Sequence, residues 1–159
     1  MKKQIVIAGS GFAGMWAALS AARAITLAGR NDDVGVTVVS PAPTLVIRPR
    51  LYEATIEGMD PDLLQLFDAT GILHVKGRIT SIDPEAHRLE VVDERGVPTS
   101  LEYDKFVLAT GSRLFQPPVP GLSEHGFNVD QLEDAKKLQA HLDSLASKPA
   151  SKARNTVVI

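Results

Sequence analysis

Near the amino end the chain reads Gln4-Ile5-Val6-Ile7-Ala8-Gly9-Ser10-Gly11-Phe12-Ala13-Gly14, and the fold follows from how this stretch is read. Ile5-Val6-Ile7 is a short β-branched run of the kind a buried strand uses. From Phe12 onward the apolar spacing turns helical and holds through Arg23 to about Ala28. A GxGxxG therefore sits where a strand meets the first turn of a helix, the context that raises this common string above chance. Each glycine has a mechanical task there. Gly9 permits a sharp turn, Gly11 leaves room for a pyrophosphate against the backbone, and Gly14 lets the helix close on the strand, helped by the small Ala18 one turn later. An anion at Gly9, Ser10, Gly11, Phe12, Ala13 and Gly14 would meet free N–H groups at the positive end of the helix dipole. The plainer alternative is a glycine-rich turn in an α/β protein that holds no nucleotide.

Outward from the turn, Val34-Gly35-Val36-Thr37-Val38-Val39-Ser40 reads as a second buried strand, which completes a βαβ unit. The usual nucleotide fingerprint has an acidic residue at the end of this strand, accepting hydrogen bonds from ribose; here that position is Ser40, followed by Pro41. A serine hydroxyl bonds ribose more weakly than a carboxylate does. A competing reading makes the uncharged run from residue 5 to residue 22 a secretion signal or membrane span. Three glycines inside it, and the change of period at Phe12, weigh against that.

Prolines at 41, 43 and 49 impose an irregular stretch. A short helix is expected from an Asp60 N-cap and Pro61 to about Ala69, ended by Gly71. Strand-like pieces follow at residues 72 to 83, broken near Gly77, at 88 to 93 and at 101 to 108. The turns Asp83-Pro84 and Glu94-Arg95-Gly96 suggest an antiparallel meander. The last strand runs into Ala109-Thr110-Gly111. Residues 116 to 121 form a proline-rich loop, and Leu132, Ala135, Leu138, Leu142 and Leu145 stripe an amphipathic helix over residues 131 to 146. The spacing of Asp130 and Glu133 is that of a capping box. Asn155-Thr156-Val157-Val158-Ile159 reads as the opening of another buried strand, echoing Gln4 to Ile7.

At 159 residues the chain has room for one domain with a core. A formal net charge of -2 gives no electrostatic reason to expect nucleic acid or acidic lipid. With no cysteine in the sequence, disulfides, thiolate metal sites and a redox-active dithiol are excluded. His74, His87, His125 and His141 lack the spacing of a zinc site, so no metal is expected. Isolated packing or surface roles suit them.

With the fingerprint, the meander and Tyr103-Asp104-Lys105-Phe106-Val107-Leu108-Ala109-Thr110-Gly111-Ser112 in view, the chain resembles the FAD-dependent pyridine nucleotide-disulfide oxidoreductases, flavoproteins with two dinucleotide-binding domains. Within them it is most similar to type II NADH dehydrogenases. The resemblance implies an α/β fold, a Rossmann-like FAD/NAD(P)-binding domain of three layers (ββα) with a parallel sheet, crossover helices and an antiparallel β-meander. It implies that residues 1 to 150 bind FAD, and that 151 to 159 are a linker and the first strand of a truncated NAD(P)-binding domain. By the same resemblance Ala109, Thr110 and Gly111 lie near the cofactor phosphates, the backbone at Ile79 meets adenine, and Arg48 approaches the pyrophosphate or flavin edge. A solvated loop pair is the alternative reading of Arg48 and Arg50. Leu51-Tyr52-Glu53-Ala54 is similar to the family's stretch beside the flavin.

The whole protein so implied oxidises NAD(P)H through FAD and reduces an acceptor such as a quinone. It is cytoplasmic or peripheral at the inner membrane face, and a homo-oligomer is left open. No side chain of this stretch is expected to be catalytic. Two other readings stay open: an NAD-binding Rossmann domain of a plain dehydrogenase, and a non-catalytic interaction domain with a vestigial nucleotide fold.

Overall fold

In the computed structural model, which describes residues 2–152, 154, 156 and 157, seven strands divide between two sheets. The first strand, β1 (Lys3–Ala8), leads through the glycine turn into α1 (Phe12–Leu27) and returns as β2 (Val34–Ser40), paired parallel with β1. After a short helix, α2 (Leu64–Thr70), β3 (Ile72–Lys76) joins the far side of β2, again in parallel. The chain then leaves for an antiparallel meander, β4 (Arg78–Asp83), β5 (Arg88–Val92) and β6 (Pro98–Glu102). It comes back as β7 (Lys105–Leu108), parallel to β1, so the strand orders are β3-β2-β1-β7 and β4-β5-β6.

The period of two along the parallel strands sorts their side chains onto two buried faces. Ile7, Val36, Val38 and Ile72 form one core with Met15 and Ala18 of α1, Phe67 of α2, and Leu45 and Leu63. On the opposite face Val6 and Val39 meet Leu89 and Val91 of the meander, edged by Val75, Ile79, Leu101, Tyr103 and Phe106. Helices, parallel sheet and antiparallel sheet thus make three layers. Phe67 is the largest fully buried side chain, and burial of such a ring contributes about 3 kcal/mol.

Two of the strands expected from sequence meet a different outcome. Residues 72 to 83 are not one broken strand of the meander: Ile72–Lys76 belongs to the parallel sheet, and Gly77 is the crossing point. A Cβ at Gly77 would lie 2.5 Å from Val91 Cγ1, so the chain changes sheets where only glycine fits. Residues 101 to 108 likewise split at Tyr103-Asp104. The Asp104 carboxylate accepts the Gln4 N–H at 2.8 Å and its own N–H returns to Gln4 C=O at 2.9 Å, which pins the start of β7 beside β1.

The helix expected from Asp60 begins at Leu64 instead. Residues 61 to 63 are held extended against residues 43 to 45, with Leu45 N–H on Pro61 C=O at 3.0 Å and Leu63 N–H on Pro43 C=O at 2.7 Å. The helix ends as expected, at Gly71 with φ 67°.

The chain divides into two units, residues 1–46 with 60–112, and residues 47–59 with 113–159. The first holds both sheets, α1 and α2. In the second, a 3₁₀ turn at Arg48–Arg50, the short α3 (Leu122–His125) and α4 (Leu132–Leu145) are the regular elements. There Asp130 gathers three segments: its carboxylate takes the Arg48 guanidinium, the Leu114 N–H at 3.1 Å and the Gln131 side chain at 2.7 Å. These bonds, Gln131 foremost and then Arg48, hold the Asp130 carboxyl below the usual carboxylate range. That engagement replaces the expected capping box, since no side chain caps α4. In the strand expected at 155–159, Asn155, Val158 and Ile159 lie outside the described residues, and Thr156 and Val157 are in no strand.

Candidate nucleotide site

The turn between β1 and α1 is built from backbone. Gly9 has φ 104°, a conformation that L side chains rarely adopt, and an added Cβ would sit 2.4 Å from Ala109 C=O. At Gly14 an added Cβ would lie 1.9 Å from Gly9 C=O, so helix and turn touch through bare backbone. Gly11 differs in kind. Its φ of -63° and ψ of -179° suit any residue, yet a Cβ there meets nothing within 4 Å. Gly9 and Gly14 answer to crowding inside the fold, whereas Gly11 fronts open space.

That space lies before the amino end of α1, a helix of 16 residues. Gly11 is its N-cap and offers no side chain, and no acidic residue stands in the first turn. The first helical bond runs from Met15 N–H to Gly11 C=O at 2.8 Å. The leading N–H groups of such a helix have no acceptor inside it and carry the positive end of the dipole. Open volume, bare backbone and unopposed positive potential fit a diphosphate.

Ala109 and Thr110 follow β7 and adjoin Gly9, where a side chain of any size would run into the backbone of both. Ala109 N–H donates to Ala8 C=O at 2.9 Å, and Gly111 takes φ 74°. The structure therefore brings together Gly9 to Gly14 with Ala109 and Thr110. Ile79 is elsewhere in the same unit, paired with Val91 and its side chain against the second core. Arg48 belongs to the other unit, where its guanidinium is engaged by the Asp130 carboxylate and Nε donates to Asp130 C=O at 3.1 Å.

Ser40, at the end of β2, is 4% exposed. Its hydroxyl lies 2.6 Å from Ala42 C=O and 2.9 Å from His74 Nε2. Ser10 contributes a second hydroxyl to the same loop, reaching Thr44 C=O at 2.8 Å and Ala42 C=O at 3.2 Å. Pro41 is exposed beside them. His74 stacks on Phe67, and burial, with the Lys76 charge, lowers its imidazole pKa, partly offset by the Ser40 backbone and the Asp62 charge. Sequence reasoning does not place His74 at this site; its position on the same face as Ile72, two residues away in a strand, is the available signal. No group of three or more His, Cys, Asp or Glu poised for a metal occurs among the described residues.

A strand-turn-helix diphosphate cradle, with an antiparallel sheet laid on a parallel one, defines a nucleotide-binding protein of the Rossmann type. The chain belongs to the pyridine nucleotide-disulphide oxidoreductase family, whose pattern it matches over residues 3–159. It is 41% identical over 157 residues to an NADH dehydrogenase-like protein of Mycobacterium tuberculosis, covering 98% of this chain and 38% of that protein. A demethylphylloquinone reductase of Synechocystis is 29% identical over 162 residues, 99% of this chain and 40% of its own length. Among solved structures, NDH2 from Plasmodium falciparum in complex with NADH superposes with a TM-score of 0.76 at 20% identity, over 97% of this chain and 32% of that one, a likeness of fold. The chain thus spans about two fifths of the length of the curated relatives named here.

Proposed function

We propose that residues 1 to 150 hold FAD, as the first nucleotide-binding part of a flavoprotein that oxidises NAD(P)H and reduces an acceptor such as a quinone. The observation that carries this is the space before Gly11, open where the neighbouring glycines are crowded, at an uncapped helix end. Membership of the family supports a flavin and a nicotinamide nucleotide as the two cofactors. The names of two relatives, an NADH dehydrogenase-like protein and a demethylphylloquinone reductase, support NADH as donor and a quinone as acceptor. A quinone acceptor would bring the whole protein to a membrane surface from the cytoplasm. No helix among the described residues is long and apolar enough to cross a membrane.

FAD, when bound, supplies the hydride-accepting and electron-transferring chemistry. The residues of this chain bind and orient it. The N–H groups of Phe12, Ala13 and Gly14 receive the diphosphate, Gly11 gives it clearance, and Gly9 sets the turn that aims them. Ala109, Thr110 and Gly111 flank the phosphates from the end of β7. Ser10, Ser40 and Pro41 would frame the adenosine side, and the backbone at Ile79, farther along the same unit, would be the part toward adenine. No side chain here is assigned a proton or hydride to move.

The test is titration of the full chain with FAD and with NADH, followed by fluorescence of Trp16, its single tryptophan, which is 61% exposed just beyond the turn. Saturable quenching by FAD, with a yellow protein after desalting, is the expected result. Saturation by NADH alone would favour a plain NAD-binding domain, and a folded chain that binds neither would overturn the nucleotide reading.

A further inference from the structure

We propose that Ser40 is a positioning residue instead of a ribose ligand: with His74 it forms a latch that holds the loop at residues 41 to 44 as a wall of the adenosine subsite. Its effect on affinity rests on the nucleotide reading above.

The proton count decides the direction of the bonds. Ser40 has one hydroxyl proton and two partners, Ala42 C=O at 2.6 Å and His74 Nε2 at 2.9 Å. A carbonyl can only accept, so the proton goes to Ala42, and His74 Nε2 must then carry the hydrogen that Ser40 Oγ accepts. Ser40 thus donates to Ala42 and accepts from His74, and at 4% exposure its remaining lone pair is shielded from a ligand's O–H. The period of two puts Ser40 and His74 on the same side of the parallel sheet, and Val38 pairs with His74 in register, so the contact is diagonal between neighbouring strands. The His74 ring is itself held by stacking on Phe67.

Loop anchorage comes from the opposite side as well. Ser10 Oγ reaches Thr44 C=O at 2.8 Å, and Leu45 N–H and Leu63 N–H tie the loop to residues 61 to 63. The loop is thus gripped by the glycine turn, by the end of β2 and by the segment before α2. A carboxylate at position 40 would have no proton for Ala42 and would set its charge against that carbonyl. Serine here is a different arrangement from the usual acid, one that leaves the end of β2 neutral.

Substitutions separate the two roles by sign. If Ser40 were a ribose ligand weaker than an acid, Ser40→Asp would raise affinity for FAD. The latch predicts the reverse, a loss of about tenfold, the scale of one buried hydrogen bond. His74→Gln, whose amide can still donate, should retain affinity within about threefold, while His74→Leu should lose about tenfold. A second readout needs no cofactor: amide exchange at Leu45 and Leu63 should quicken in Ser40→Asp and His74→Leu and stay slow in His74→Gln, and nitrogen NMR of the wild-type imidazole should find the proton on Nε2. Tighter binding by Ser40→Asp, unchanged exchange in His74→Leu, or a proton on Nδ1 alone would overturn the latch. If the wild-type chain binds no FAD, the exchange and NMR results still decide the latch, and only the nucleotide reading fails.

Discussion

The two ends of the candidate nucleotide site are made by opposite means. At the β1–α1 turn the structure works by removal: three positions carry no side chain, two because the fold is crowded and one because it is open. At the end of β2 it works by addition, with Ser40, His74 and Ser10 placing side-chain bonds around one short loop. Bare backbone makes a site that depends on local geometry alone. A side-chain latch depends on a partner 34 residues away in the chain.

The comparison is broken most forcefully at the crowded glycines. Gly14→Ala should cost about 3 kcal/mol despite the better helix propensity of alanine, because its Cβ would overlap Gly9 C=O, and thermal unfolding should fall by roughly 10 °C. Gly9→Ala should do comparable damage, through strain at φ 104° and the clash with Ala109 C=O. Survival of either variant with an unchanged unfolding temperature would mean the turn is less tightly built than described.

At the latch the expected effects are smaller. Ser10→Ala removes one hydrogen bond to Thr44 C=O and should cost about 1 kcal/mol in chemical denaturation. The smallest effect is a pH dependence from His74, whose folded-state pKa is lowered chiefly by burial, with Lys76 adding to the shift and the Ser40 backbone and Asp62 opposing it. An imidazole of lowered pKa gives full stability above its ordinary value. As the pH falls through that value the unfolded chain takes up the proton first, so stability drops until the folded imidazole is protonated too. Denaturation curves from about pH 7.5 to about 5.5, about a unit either side of the free imidazole value, should show this slope, and His74→Gln should reduce it.

What is legible in the sequence follows the same division. The turn, α1, β1 and β2 can be read because their signals are local: glycine spacing, β-branched runs and a change of period within one short stretch. The end of α2 is legible at Gly71 for the same reason. Its start is not, because the pairing of residues 61 to 63 with residues 43 to 45 is tertiary and overrides the Asp60-Pro61 signal. In sequence β3 merges with the meander because a short apolar run says nothing of which sheet it joins; the deciding fact is Gly77 packed on Val91. Of the site, Ser40 stands out as a departure from the acid, but its partner does not, since a lone histidine in a strand carries no sign of what lies across the sheet. Asp130 has the spacing of a helix cap and instead binds Arg48, a long-range pair that no spacing rule contains.

The most direct test of the central claim is Gly11→Ala, measured for thermal unfolding and for FAD binding through Trp16 fluorescence on the same sample. Alanine is a poorer N-cap than glycine, so unfolding should move by only a few degrees, while affinity falls at least about tenfold as the new methyl fills the space proposed for the diphosphate. A variant that stays folded and binds FAD as the wild type does would contradict the account.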